Sequence, residues 1–193
     1  MVTECPSDQD PRGPRAQSLP PLGLAGNSES GEGGRDLGLW IAADGSWHYR
    51  GSPIHRIELV RLFASVLRLE ADGYWLVTPV ERGRIGVEDA PFVAIELERC
   101  GQGAGQCLRL RTNLDAWLTV GPQHPITLRR PARVVADSGP APYVLVRDGL
   151  QARVARSVYY ELAELAEPGV HQGRSCIGVW SEGHFFALQD PDP

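Results

Sequence analysis

The stretch GSPIHRIELVRLFASVLRL, Gly51 to Leu69, decides how the chain reads. Ser52 suits a helix N-cap, because its hydroxyl can accept from a first-turn amide that has no partner inside the helix. Pro53 suits the first helical position, where its missing N–H costs nothing. Apolar side chains follow at Ile54, Ile57, Val60, Phe63 and Leu67, the three-to-four spacing of a buried helical stripe. One helix is therefore expected over 51–69, with Ser52→Ala costing about 1 kcal/mol.

A degraded copy stands at DGLQARVARSVYYELAEL, Asp148 to Leu165. Asp148 and Gln151 have capping-box spacing, the stripe is Leu150, Val154, Val158, Leu162 and Leu165, and Pro168-Gly169 stops it. Aligned on Arg56-Ile57 and Arg153-Val154, both stretches are preceded by an arginine, Arg50 and Arg147. Both also carry aromatics at matching places, Leu62-Phe63 and Tyr159-Tyr160. Each is followed by an acid-Gly turn into an aromatic strand, Asp72-Gly73-Tyr74-Trp75 and Glu182-Gly183-His184-Phe185. Matching order at both ends points to an internal duplication.

The rest reads as short strands. Asp44-Gly45 marks a hairpin between Leu39–Ala42 and Trp47–Arg50. Phe92 to Glu98 alternates apolar and polar residues, and further strands are expected up to Phe185–Leu188. The expected fold class is α+β: antiparallel sheets with two helices, built from two degenerate repeated motifs. Residues 1–37, rich in Pro, Gly and Ser, read as a disordered tail. Residues 38–98 form the first repeat, and 99–190 a strand meander with the second.

Composition removes several functions. All nineteen basic residues are Arg, so a Walker-type phosphate loop, a pyridoxal Schiff base and a protein-kinase ATP site are excluded in their usual forms. The tail holds six acids against three Arg, −3 of the total −5, which leaves the folded part near −2. That balance argues against broad binding of nucleic acid. No run approaches the roughly 20 apolar residues of a membrane span, and no signal peptide is read. Cys5, Cys100, Cys107 and Cys176 lack metal spacing and read as reduced thiols of a cytoplasmic protein. No cofactor and no metal are expected, the five His being scattered.

DGSWHYRGSPIHRIELVRLFASVL with DGYWLVTPVERGRIGVEDAPF resembles the bacterial family catalogued as domain of unknown function 1285. GLQARVARSVYYELAEL and GVWSEGHFFAL resemble the same family's closing segments, so the likeness spans about Leu39 to Leu188. It implies an α+β fold of repeated motifs and a role in signal transduction, and it carries no catalytic or binding residue to transfer.

The candidate ligand-binding residues are Arg50, His55 and Arg56 at the first helix start, with Arg147 and Arg153 at the second. Helix starts favour anions, and a guanidinium binds carboxylate or phosphate in a bidentate manner. The same arginines could instead pair with Glu58, Asp89 or Asp148 and fix helix to sheet. The leading reading is a non-enzymatic binding or signalling module for a small anionic ligand or a protein partner. One alternative is a hydrolase or transferase using Glu88, Asp89, His55 or His184. The other is a scaffold or homodimer joined through Trp40, Trp47 or Tyr159. Arg109 and Arg111, with Arg129, Arg130 and Arg133, read either as a basic patch or as a polar strand face. GQGAGQ is followed by a strand and WSEG lacks the elbow glycine, so neither carries its motif's chemistry.

Overall fold

A computed structural model of the chain describes residues 35–132 and 139–189. They divide between Pro91 and Phe92 into two units. The first contains β1 (Arg35–Ile41), β2 (Trp47–Tyr49), β3 (Ser52–Pro53), α1 (Ile57–Ser65), β4 (Leu67–Glu70), β5 (Gly73–Val77) and β6 (Arg82–Val87). Its strands make one sheet in the order β3-β2-β1-β6-β5-β4. Neighbours are antiparallel except β1 and β6, which run parallel. Leu39, Ile41 and Trp47 are buried together with Val60, Phe63 and Ala64 of α1. Trp47 stacks on Phe63 at 6.1 Å between ring centroids, a pairing that adds about 0.5–1.5 kcal/mol to the burial itself.

The second unit contains β7 (Phe92–Cys100), β8 (Cys107–Thr112), β9 (Trp117–Thr119), β10 (Ile126–Arg129), β11 (Ala141–Arg147), β12 (Leu150–Val154), α2 (Arg156–Glu164), β13 (Glu167–His171), β14 (Arg174–Ser181) and β15 (His184–Ala187). These form a six-stranded sheet, β10-β11-β12-β7-β8-β9, and a three-stranded one, β13-β14-β15. Val158 and Leu162 of α2 are fully buried, as are Val144, Leu150 and Ala152.

One order of elements occurs twice: a strand, a hairpin, a helix and a three-stranded meander. It runs β1 to β6 through α1 in the first unit and β10 to β15 through α2 in the second. In the first unit the meander joins the main sheet beside β1, whereas in the second it is a sheet of its own. The fold is α+β, with β7 to β9 an addition ahead of the second copy.

Several expectations need correction. The sheets are mixed, because β1–β6 and β7–β12 are parallel pairs; each is joined by far more than the dozen residues a parallel return requires. Both helices are nine residues long. Ser52 and Pro53 are strand β3, and α1 starts after Arg56 with no side-chain cap. Asp148 is likewise no cap. It precedes Gly149 in the β11–β12 turn at φ 45°, and Gln151 lies inside β12. β7 belongs to the second unit, so the division falls at 91/92 and not at 98/99. Arg35 to Leu37 belong to β1; the rest of the expected disordered tail lies outside the described residues. The Pro- and Arg-rich segment after Arg129 joins β10 to β11 as antiparallel neighbours, with 133–138 outside the described residues.

Candidate functional site

The β2–β3 hairpin is one edge of the first unit's sheet, and its tip is Arg50-Gly51. Both residues take left-handed backbone, φ 48° and 84°, as a two-residue hairpin turn with matching twist requires. The Arg50 amide donates to the Gly38 carbonyl at 2.8 Å, its Cγ packs beside Gly38, and its guanidinium lies over the Tyr49 ring at 5.2 Å. Past β3 the Ile54 amide still donates to the Trp47 carbonyl at 2.7 Å, so the pairing extends toward the helix. His55 then follows, and Arg56 is the N-cap of α1, whose carbonyl accepts from Leu59 and Val60. Arg50, His55 and Arg56 are all exposed. Among the described residues none of the three forms an ion pair, whereas Arg82, Arg84, Arg109 and Arg111 each do.

Three further residues organise this edge. The Asp44 carboxylate accepts from the Ser46 hydroxyl at 2.6 Å and from the Ser46 amide at 2.9 Å. Ser46 Oγ also lies 3.0 Å from His48 Nε2. The Ser46 hydroxyl and amide, with the His48 ring nearby, hold the Asp44 carboxyl below its ordinary range. Ser46 gives its one hydroxyl proton to the ionised Asp44, so the His48 Nε2 must carry a proton and donate to Ser46. His48 escaped the sequence reading because a histidine inside a short strand carries no spacing signal.

The remaining candidates go elsewhere. Arg147 and Arg153 are strand residues of the second unit, on β11 and β12, with Arg153 opposite Tyr143. The turn residue matching Arg50 is Asp148, with φ 48° and 45°, so charge reverses between the two copies. The turn matching Asp72-Gly73 is Gln172-Gly173, since Glu182-Gly183 closes the next hairpin. Glu88 accepts from the Ala43 amide at 3.0 Å, Asp89 is buried, and His184 Nδ1 lies 2.9 Å from the Glu182 carbonyl in the second unit. Ser181 is fully buried and its hydroxyl accepts from the Leu108 amide. Trp47 is 2% exposed and unavailable as an interface residue, while Trp40 is 39% exposed.

Arg109 and Arg111 form no basic patch. Arg109 donates to Glu98 at 2.9 Å, and Arg111 to Glu96 at 2.6 Å and Asp115 at 2.7 Å, with both guanidinium groups by the Trp117 ring. Glu96 and Asp115 raise the Arg111 pKa further. Among the described residues no group of three or more His, Cys, Asp and Glu could hold a metal ion, and no helix is long and apolar enough to cross a membrane.

The profile of the N-terminal domain of unknown function DUF1285 matches residues 31–90, and that of the C-terminal domain of the same proteins matches 91–188. Their junction, 90/91, falls one residue from the structural division at 91/92. A crystal structure of a DUF1285 family protein from Silicibacter pomeroyi DSS-3 is similar at 38% identity and TM-score 0.73, covering 95% of this chain and 96% of that one. Another, from Shewanella baltica OS155, is similar at 28% identity and TM-score 0.50, over 66% of this chain and 91% of that one. A search of curated proteins finds no match.

Proposed function

The chain belongs to the DUF1285 family, and on that premise we propose that it is a non-catalytic recognition module of the signalling kind. Its first unit takes a small anionic ligand, or an acidic segment of a partner, at the β2–β3 edge. The observation that carries this reading is that His55 and Arg56, exposed and outside any ion pair among the described residues, stand at an α1 start that no side chain caps, with the exposed Arg50 at the tip of the hairpin before it. An anion there would meet guanidinium donors together with the positive end of the helix. The groups that a hydrolase or transferase would use support the non-catalytic side of the reading. Glu88 accepts from the Ala43 amide, Asp89 is buried, and His184 Nδ1 faces the Glu182 carbonyl.

The reading is tested by thermal shift of the whole chain with orthophosphate, pyrophosphate and citrate. At 100 times its dissociation constant a ligand adds about 2.7 kcal/mol to stability, which is visible as a raised Tm. Arg56→Ala should keep the ligand-free Tm and lose most of the rise. A rise that survives in both Arg56→Ala and Arg50→Ala would place the anion elsewhere.

A further inference from the structure

We propose that Cys100 and Cys107 form a reversible disulfide across the β7–β8 ladder, a redox switch on the loop that ties the two sheets of the second unit together. It is independent of the anion-binding reading. The pairing register sets the two cysteines directly opposite each other, so their side chains leave the sheet on one face. Leu108, the next residue, donates its amide to Ser181 Oγ and accepts the Val120 amide on its carbonyl. Both groups point away from β7, so those of Cys107 point toward it. Cys100 and Cys107 are therefore a hydrogen-bonded pair, with Cα atoms about 5.5 Å apart. That separation lies within the roughly 4.4–6.8 Å that a disulfide spans.

Spacing alone reads all the cysteines as reduced thiols, and the structure departs from that at one of them. Cys107 is disulfide-bonded, while Cys100 and Cys176 are free. A free thiol directly across the ladder from a bonded sulfur is arranged for thiol–disulfide exchange. The Cys100 thiolate attacks the Cys107 sulfur, a bond forms between the two, and the sulfur previously bonded to Cys107 leaves as a thiolate. No electrons are gained or lost. From the reduced chain the same bond needs an oxidant, and a low-molecular-weight disulfide such as oxidised glutathione supplies it. Cys100 is half-buried and Cys107 is only 7% exposed, so Cys100 meets the oxidant first. Its thiolate attacks glutathione disulfide and releases one glutathione. The Cys107 thiolate then attacks the Cys100 sulfur and releases the second, so two cysteine thiols are oxidised as one glutathione disulfide is reduced.

The loop that this bond closes, Gly101 to Gln106, holds the β14–β15 turn. The Gln106 carbonyl accepts from the Glu182 amide at 2.8 Å, and the Ala104 carbonyl from the Gly183 amide at 3.0 Å. Gln106 Nε2 donates to the Trp180 carbonyl at 2.8 Å. Gly101 and Gly103 take φ 80° and 61°, and a cross-link removes backbone freedom that such glycines otherwise have. Oxidation thus tightens the contact by which the β7–β8 hairpin holds the three-stranded sheet.

The test uses the full chain, reduced and then transferred to glutathione buffers of graded oxidised-to-reduced ratio. Acid quenching, alkylation of free thiols and peptide mass mapping should give a Cys100–Cys107 linked peptide that disappears again on adding reduced glutathione. Cys100→Ser should abolish that peptide and leave the Tm of the reduced chain unchanged, whereas Cys176→Ser should leave the peptide in place. Cys100→Ala is measured alongside, so that loss of the bond in both variants at an unchanged Tm separates chemistry from misfolding. Hydrogen exchange of the Glu182 and Gly183 amides should slow several-fold on oxidation of the unsubstituted chain, and not in Cys100→Ser. Cys107 found only in another pairing, or Cys100 carrying glutathione with no internal bond, overturns the proposal. A Cys100–Cys107 bond that leaves exchange at Glu182 and Gly183 unaltered overturns the switch.

Discussion

Gly178 and Gly86 both occupy places where a methyl group would collide, and the consequences differ. At Gly178 the nearest atom to an added Cβ is the Phe186 carbonyl oxygen, 2.2 Å away on the paired strand β15. Backbone cannot yield without breaking the ladder, so Gly178→Ala should lose at least the about 1–3 kcal/mol typical of overpacking. At Gly86 the colliding atoms belong to the half-open Trp40 ring, which can swing out. Gly86→Ala should therefore cost less than Gly178→Ala, and it should alter Trp fluorescence. Comparing the two melting temperatures checks this; equal losses would mean that Trp40 is held more firmly than its exposure suggests. Asp44 gives a second expectation. Its carboxyl titrates below the ordinary aspartate range because the Ser46 hydroxyl and amide, and then His48, favour its charged form. A depressed carboxylate contributes stability that is present above its unfolded pKa and is lost as pH falls through the folded one. The hairpin contribution should thus persist at pH 5 and disappear only in strong acid. Following the Asp44 carboxyl by NMR should give a midpoint below that of free Asp, and an unshifted midpoint would contradict the geometry. Neither glycine's role was legible in the sequence, because what each would strike comes from another strand.

Both predicted helices were found at their centres and overrun at their ends, for one physical reason. Leu150, Val154 and Val158 fit a helical stripe, but residues four apart also share a face of a strand. In Leu150–Val154 the alternation of buried and half-buried residues is the strand pattern, and the helix begins only at Arg156. Leu67 to Glu70 shows the same ambiguity after α1. Asp148-Gly149 is a hairpin dipeptide in its own right, and reading Asp148 as a cap concealed the β11–β12 turn. The two interpretations predict different energies. If Ser52 capped a helix, Ser52→Ala would cost about 1 kcal/mol. As an exposed residue of the edge strand β3 it should change stability by less than about 0.5 kcal/mol. Gly149→Ala should cost more than Ser52→Ala, since φ 78° suits glycine and strains an L side chain. Denaturant unfolding of the two variants side by side decides between cap and turn.

At the scale of the whole chain, the duplication was legible because each copy keeps its order of hairpin, helix and meander. The parallel pairings of β1 with β6 and β7 with β12 were not, since they join segments far apart in sequence and leave no local pattern. Of the five arginine and histidine candidates, Arg50 is at the tip of the β2–β3 hairpin, and His55 and Arg56 are at the helix start six residues on, after the edge strand β3. Arg147 and Arg153 were paired with them by an alignment one residue out of step at the turn, where Arg50 matches Asp148. The central claim is that recognition belongs to this edge of the first unit and is not duplicated in the second. The most direct measurement is an amide NMR titration of the full chain with orthophosphate. Shifts concentrated at Gly51, His55, Ile57 and Glu58, with the second unit unmoved, are the predicted result. Shifts centred on Arg153 and Arg156, or none at saturating phosphate, would contradict it.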